Sequence, residues 1–195
     1  MIIVTACGGL CNRLRVIFSY YNYAISNNET LTIIWNEDND VTKKSFLEYF
    51  EPVDNITFLS NNKDKLPIHY HGVYCCKGYP PIYDKLKIKP HIQDIINQRI
   101  SVIGNYIAIH VRRGDHAQHA KNRNMFTEFE DFCNFINKEK KDKNLYIATD
   151  NKKTWENFSK KYKEIIKFPF PKENPQRQKR RTNLIDSIID IYMCV

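Results

Sequence analysis

Apolar residues occur along the chain in two alternating patterns, short continuous runs and longer segments with an apolar residue every three or four positions. The short runs predict β-strands, and the longer segments predict amphipathic helices. Because strands and helices follow one another in turn, the pattern predicts an α/β fold with parallel sheets. The predicted strands are residues 2–6, 31–35, 56–59, the first half of 106–115, 145–149 and 165–168.

The predicted helices occupy most of the segments between these strands. Pro90 lies where a helix often begins, and this helix is expected to connect two lobes, residues 1–104 and 105–195. Residues 61–90 are polar, aromatic and rich in proline, and their pattern predicts no strand or helix. The other helices are predicted at 10–25, 46–50, 129–136, 152–162 and 183–193.

The segment Tyr-Ile-Ala-Ile-His-Val-Arg-Arg-Gly-Asp, residues 106–115, joins an apolar run to a charged end. The run is typical of a strand buried on both faces. Ligands bind outside the carboxyl ends of such strands, so His110, Arg112 and Arg113 are expected to face a ligand. Alternation along the strand separates Arg113 from the other two. Two adjacent guanidiniums suit a diphosphate, and the structural alternative is ion pairing with neighbours such as Asp115.

A pair of glycines, Gly8 and Gly9, separates the first predicted strand from the first predicted helix. Backbone N–H groups at a helix N-terminus favour an anion, and glycine lets the anion approach closely. Asn12 and Arg13 lie in the first helical turn and are expected to reach the same anion. The simpler alternative is that the glycines only permit a tight strand–helix connection.

Polar residues also end the strand 145–149. Either Asp150 or Asn151 can cap the helix that follows, and the functional alternative is a hydrogen bond from one of them to a nucleobase edge. Asp186 and Asp190, one turn apart on the last predicted helix, are expected to form a solvated polar face, and the functional alternative is acid/base chemistry by the pair.

The net charge of +8 and the pI near 9.1 indicate attraction to polyanions, which include nucleotide diphosphates as well as nucleic acid. A run of cationic residues at 177–181 leaves open a basic binding module for nucleic acid or an acidic glycan. The chain lacks the aromatic and basic pattern of an RNA-binding sheet and lacks a recognition-helix pattern, so nucleic acid is not the expected partner.

No apolar stretch approaches the roughly 20 residues that span a bilayer, and the segment after Met1 lacks the features of a signal sequence. A cytoplasmic protein without a membrane span is therefore expected. The six cysteines match no zinc spacing, so reduced thiols and no metal are expected.

Four segments resemble, in the same order, motifs of the GDP-fucose-dependent fucosyltransferases, the group that includes α-1,2-, α-1,6-, nodulation and protein O-fucosyltransferases. The most specific is His-Val-Arg-Arg-Gly-Asp at 110–115. The others are Gly-Gly-Leu-Cys-Asn-Arg-Leu-Arg at 8–15, Ala-Thr-Asp-Asn at 148–151 and the helix at 183–194. The resemblance spans the chain, although the segments between these motifs carry no match.

The resemblance implies a GT-B fold of two Rossmann-like lobes, the second of them short because the family continues beyond the position of Val195. Residues 1–104 would form the lobe on the acceptor side, and residues 105–195 would form the lobe that binds the nucleotide sugar. It also implies an inverting glycosyltransferase that uses a GDP-sugar as co-substrate, with fucose as the expected sugar, and needs no metal. The acceptor would be a glycan or another hydroxyl compound. Other nucleotide sugars, the linkage and the oligomeric state, including self-association, stay open.

Particular roles follow from the resemblance for residues that match its motifs. Arg112 would grip the β-phosphate and stabilise the leaving GDP, and Arg113 would support it or contact donor or acceptor. His110 and Asp150 would hold the guanine or its ribose. Asn151 stands where the relatives often have a second acidic residue.

The resemblance also assigns Asn12 and the backbone of Gly8 and Gly9 to the diphosphate, approached from the first lobe. The general base that deprotonates the acceptor is not fixed by the motifs. Asp115, His116 and His119 are candidates because they lie close in sequence to the arginines, and Asp115 is taken as a catalytic residue together with Arg112 and Arg113.

Overall fold

Two parallel β-sheets organise the chain in a computed structural model that describes residues 1–36, 44–114, 117–171 and 182–195. Each sheet belongs to one of two compact units, which we call unit 1 (Met1–Pro90) and unit 2 (His91–Val195). The division falls at the start of the helix that was expected to connect the lobes, whereas the predicted boundary at residue 104 lies at its end. The assignment of functions to two domains stays a prediction.

Unit 1 contains a four-stranded parallel sheet and one long helix. Its elements are β1 (Ile2–Ala6), α1 (Leu10–Ser26), β2 (Leu31–Ile34), β3 (Ile56–Leu59) and β4 (Tyr70–Gly72). The strands lie in the order β3-β2-β1-β4, with every neighbouring pair parallel. The central strand β1 is buried along its whole length because α1 covers it and a strand lies on each side. Three of the strands and the helix were predicted.

Two elements of unit 1 differ from the prediction. The edge strand β4 was not predicted, because it has three residues and gains its strand geometry from pairing with β1 rather than from an apolar run. The helix predicted at 46–50 is a single 3-10 turn, Phe46–Glu48, whose Phe46 ring stacks 3.9 Å from that of Phe58. Packing of aromatic rings therefore holds this turn, and Pro52 follows it closely.

Unit 2 contains a two-stranded parallel sheet with helices that connect and follow the strands. Its elements are α2 (Pro90–Ile103), β5 (Tyr106–Val111), α3 (Ala117–Asn122), α4 (Phe129–Glu139), β6 (Asn144–Thr149), α5 (Lys152–Lys161) and α6 (Leu184–Met193). The register of the sheet runs from Tyr106 opposite Asn144 to Val111 opposite Thr149. The short helix α3 lies between β5 and α4, where no helix was predicted.

The two faces of β5 have different surroundings. Ile107, Ile109 and Val111 are buried in a core that includes Ile136 of α4 and Phe158 of α5. The opposite face is half-buried, and its last residue on the strand, His110, is exposed. The expectation of burial on both faces is therefore wrong at the end of the strand.

The predicted strand at 165–168 is reduced to a single parallel bridge between Leu145 and Ile166. Pro169 and Pro171 follow directly, and they lack the N–H groups that would continue the ladder. Within the parts of the chain that the structure describes, none of the helices has the length and apolar character needed to cross a membrane.

Candidate functional site

The carboxyl ends of β5 and β6 lie side by side because Val111 pairs with Thr149. Thr149 Oγ1 donates a hydrogen bond of 2.6 Å to the carbonyl of Val111, which joins the two strand ends. The residues that follow, Arg112 to Gly114 on one strand and Asp150 and Asn151 on the other, form what we call the strand tip. The fold thus brings together predicted site residues that are separated in sequence.

Asp150 binds the backbone of the turn that follows β5. Its Oδ1 accepts hydrogen bonds from the N–H groups of Arg113 at 2.8 Å and Gly114 at 3.1 Å, and its Oδ2 lies 3.1 Å from the same Gly114 nitrogen. These contacts were not predicted, since the sequence suggested a helix cap or a nucleobase contact. Asn151 is the residue that caps α5, accepting from the N–H of Thr154 at 2.8 Å.

Arg112 is an accessible cation at the strand tip. Its Nε lies 4.0 Å from Asp150 Oδ2, and the side chain is 43% exposed. An ion pair this open to solvent contributes little to stability, so it does not by itself explain an arginine at this position. The planar guanidinium suits an anion that reaches the strand end.

Arg113 has different neighbours from Arg112, as alternation along the strand predicts. Its guanidinium lies 3.9 Å from the ring centroid of Phe126 and 5.7 Å from that of Phe132, and it donates a hydrogen bond to the carbonyl of Thr127. These contacts connect the strand tip to the start of α4. They favour an anchoring function for Arg113, and its catalytic assignment stays a prediction.

His110 lies near the end of β5, two residues before Arg112 and on the face opposite Ile109 and Val111. Loss of hydration beside the strands lowers the pKa of His110 below its ordinary value, the charge of Arg112 acts in the same direction, and Asp150 opposes both. The imidazole is therefore neutral at pH 7. A neutral imidazole offers one donor and one acceptor, which suits hydrogen bonding to a base or a sugar hydroxyl.

The Gly8-Gly9 turn in unit 1 needs glycine at its first position. Gly8 has φ of +80°, and a Cβ there would lie 3.2 Å from both Asn12 Nδ2 and Val73 Cγ1. Gly9 is the N-cap of α1, with no side-chain cap and no acidic residue in the first turn. This backbone geometry agrees with the predicted strand, glycine turn and helix, and it suits an anion.

Arg13 is buried rather than presented to solvent. Its side chain donates to the carbonyls of Gly8 at 3.0 Å and Asn36 at 2.8 Å, and its guanidinium lies 5.0 Å from the Trp35 ring centroid. This placement favours a structural role in holding the glycine turn. Asn12 is exposed, and its Oδ1 accepts from Arg15 at 3.3 Å. Donor contacts by either residue stay predictions.

His71 is a candidate site residue that the sequence analysis did not predict. Pairing of β4 with β1 brings its Nε2 to 3.4 Å from Cys7 Sγ, directly before the Gly8-Gly9 turn. Prediction of this contact would have required prediction of β4. Among the described residues no group of three or more His, Cys, Asp or Glu side chains could hold a metal ion, and metal independence stays a prediction.

Asp190 contradicts the expectation of a solvated face on the last helix. Burial raises the pKa of Asp190 to about 6, and its Oδ1 accepts a hydrogen bond of 2.7 Å from the hydroxyl of Tyr146. Burial also raises the pKa of Asp186. The expectation failed because the covering residues come from β6 and α2, far away in sequence.

None of the three candidate general bases has a described side chain. Asp115 and His116 lie outside the described residues, as does the cationic run at 177–181, and nothing is described of the His119 side chain. The catalytic assignment of Asp115 therefore stays a prediction.

The sheets and the strand tip define a Rossmann-like α/β protein, the class that binds ligands at the carboxyl ends of parallel strands. No protein-family model matches the sequence, and no curated protein matches it. Solved structures of the fucosyltransferase NodZ share the fold.

The NodZ α-1,6-fucosyltransferase soaked with GDP-fucose aligns with a TM-score of 0.64 at 15% identity, covering 98% of this chain and 84% of that one. NodZ co-crystallised with GDP aligns with a TM-score of 0.65, and NodZ from Bradyrhizobium with 0.64, at the same identity and coverage. The predicted α/β fold with parallel sheets is confirmed, and so is the resemblance to fucosyltransferases at the level of the fold.

Proposed function

We propose that this protein is a glycosyltransferase that moves a sugar from a GDP-sugar to a hydroxyl acceptor, with fucose as the sugar and a glycan as the acceptor. The observation that carries the proposal is the strand tip, where Arg112 lies beside the ends of two parallel strands. The shared fold with NodZ, whose structures include GDP-fucose and GDP, supports the choice of nucleotide.

The chemistry requires positive charge at the leaving group. As the bond between the sugar and the β-phosphate breaks, the bonding electrons stay on the phosphate oxygen and negative charge grows on GDP. A guanidinium fixed beside that oxygen stabilises the transition state more than the ground state, and removal of such a donor costs about 100- to 1000-fold in rate. We assign this task to Arg112, with Arg113 in support.

Inversion requires the acceptor hydroxyl to attack the anomeric carbon from the side opposite GDP, while a base takes its proton. We assign the base to Asp115, with His116 and His119 as the alternatives. The reaction then forms one glycosidic bond, breaks one sugar–phosphate bond and releases GDP. No metal is needed in this scheme, because the arginines supply the positive charge.

The nucleoside end of the donor is assigned to His110 and Asn151. The lowered pKa of His110 keeps its ring neutral, so it can donate one hydrogen bond and accept another at the base or the ribose. The assignment of Gly8, Gly9, Asn12 and Arg13 to the donor stays a prediction.

A donor screen tests the proposal. GDP-fucose, GDP-mannose and a set of UDP-sugars are incubated with the protein and an acceptor glycan mixture, with and without EDTA, and released nucleotide is measured. We expect turnover with GDP-fucose that survives EDTA and falls about 100-fold or more in Arg112→Ala. Release of UDP but not GDP would replace the proposed donor, and no release with any donor would contradict the proposed enzyme.

The Arg112→Ala variant also distinguishes the proposed enzyme from a basic binding module. An enzyme should lose GDP binding in this variant and keep its binding to heparin or single-stranded DNA, since one charge of the net +8 contributes little to a long-range field. Equal loss of both kinds of binding would favour the module.

A further inference from the structure

We infer that Asp150 is the positioning residue of the strand tip: its carboxylate fixes the backbone turn after β5 and thereby sets the direction of Arg112. This role replaces the predicted contact of Asp150 with the nucleobase or ribose. The structural part of the inference stands on the contacts of unit 2 alone, and its catalytic part rests on the proposed function.

The contacts of Asp150 are directed at the turn. Oδ1 accepts from the N–H groups of both Arg113 and Gly114, and Oδ2 lies between the Gly114 nitrogen and the Arg112 guanidinium, at 3.1 and 4.0 Å. A carboxylate that accepts backbone N–H groups forms stronger hydrogen bonds than a neutral acceptor does. Both oxygens are thus used by the chain itself.

The backbone on both sides of Asp150 is also fixed. Thr149 binds the carbonyl of Val111 at 2.6 Å, and Asn151 caps α5, so a strand end and a helix start hold Asp150 between them. Arg112 lies between Val111, which is held by the strand pair, and Arg113, whose N–H is held by Asp150. Its backbone is therefore restrained on both sides.

The missing side chain of Gly114 is part of the same contact. A Cβ on Gly114 would lie 2.5 Å from Asp150 Oδ2 and 3.2 Å from its Cγ. Gly114 is not among the glycines with positive φ, so its backbone conformation is open to alanine. The need for glycine at this position therefore comes from the approach of the carboxylate.

These two residues define a double-mutant cycle with a clear expectation. Asp150→Ala removes the acceptor, and Gly114→Ala displaces it, so each variant should speed hydrogen exchange of the Arg113 and Gly114 amides by about tenfold or more. In the Asp150→Ala background, Gly114→Ala meets no carboxylate and should add no further change. Amide exchange measured by NMR provides the readout without any ligand.

Two further variants serve as a stability control and a conservative substitution in this measurement. Asn183→Ala removes the cap of α6, where Asn183 accepts from the Asp186 N–H at 2.8 Å, and should lower the melting temperature without changing exchange at the turn. Asp150→Asn keeps one acceptor oxygen and should restore part of the protection. An unchanged exchange rate in Asp150→Ala, or an equal effect of Gly114→Ala in both backgrounds, would overturn the inference.

Steady-state kinetics test the catalytic part. If Asp150 is a positioning residue, Asp150→Ala should lower kcat with a smaller change in the KM for the donor. Gly114→Ala should do the same, although it removes no polar group. A rise in KM alone, with normal exchange at the turn, would show that Asp150 binds the donor instead. If the wild-type protein releases no GDP, the proposed function fails while the exchange cycle still decides the structural part.

Discussion

Tyr146 and Asp190 share a hydrogen bond of 2.7 Å that joins β6 to α6 in unit 2. Arg99 of α2 donates to the same phenol oxygen at 3.0 Å. Burial raises the pKa of Asp190 to about 6, with Asp186 acting in the same direction, while the Tyr146 hydrogen bond and the Arg99 charge oppose it. The carboxyl group therefore titrates in the folded protein close to neutral pH.

This raised pKa predicts a stability that decreases as pH rises. The unfolded carboxyl group titrates near 3.9, so between about pH 4 and pH 6 the folded state holds the proton more tightly and is favoured at the acid end. Above pH 6 this advantage, up to about 3 kcal/mol, is lost. Asp190→Asn removes the titrating group and should remove this component.

Urea unfolding of both proteins from about pH 4 to pH 7 measures the effect. The free energy of unfolding of wild type minus that of Asp190→Asn should fall across this range, which separates Asp190 from every other titrating group. A difference that stays constant with pH would contradict the buried carboxyl group.

Alanine substitutions at two glycines of unit 1, Gly8 and Gly78, test the turn before α1. Gly8 has φ of +80°, and a Cβ added there would have two neighbours at 3.2 Å, whereas Gly78 has φ of +84° and nothing within 4 Å of the same position. Alanine at either position costs about 1–2 kcal/mol for the left-handed backbone. Gly8→Ala should therefore destabilise more than Gly78→Ala in denaturant titrations, and equal losses would show that the contacts with Asn12 and Val73 do not constrain the turn.

Arg13 is predicted to stabilise unit 1 through its two carbonyl partners. Lysine cannot reproduce the guanidinium fork that reaches Gly8 and Asn36 together, so Arg13→Lys should lower the free energy of unfolding by about 2–3 kcal/mol. The exposed Arg15 two positions later is the matched control, and Arg15→Lys should change stability by less than about 0.5 kcal/mol. Similar small effects from both substitutions would contradict the structural role.

The sequence predicted the elements whose apolar pattern is local. β1, β2, β3, β5 and β6 are all apolar runs, and each was expected at nearly its observed position. By contrast, β4 depends on pairing with β1 far away along the chain, as the Thr5–His71 register shows. A short edge strand of this kind has no periodicity of its own to detect.

The same distinction applies to the site. Adjacency of the Arg112 and Asp150 segments follows from the rule that parallel strands end at one edge, so it was predictable. The direction of the Asp150 carboxylate was not, because it depends on the register of β5 against β6 and on the missing side chain of Gly114. The burial of Arg13 likewise depends on Trp35 and Asn36 at the end of β2.

Calorimetric titration of GDP into the wild-type protein, Arg112→Ala and the control Arg123→Ala shows whether the strand tip binds a nucleoside diphosphate. Arg123 is an exposed arginine of the same unit, so its loss removes the same charge from a different position in unit 2. We predict saturable GDP binding by wild type and Arg123→Ala, and a loss of about 10- to 100-fold in affinity for Arg112→Ala. Absence of binding heat for wild type at millimolar GDP, or the same affinity in all three proteins, would contradict the assignment of Arg112 to the diphosphate.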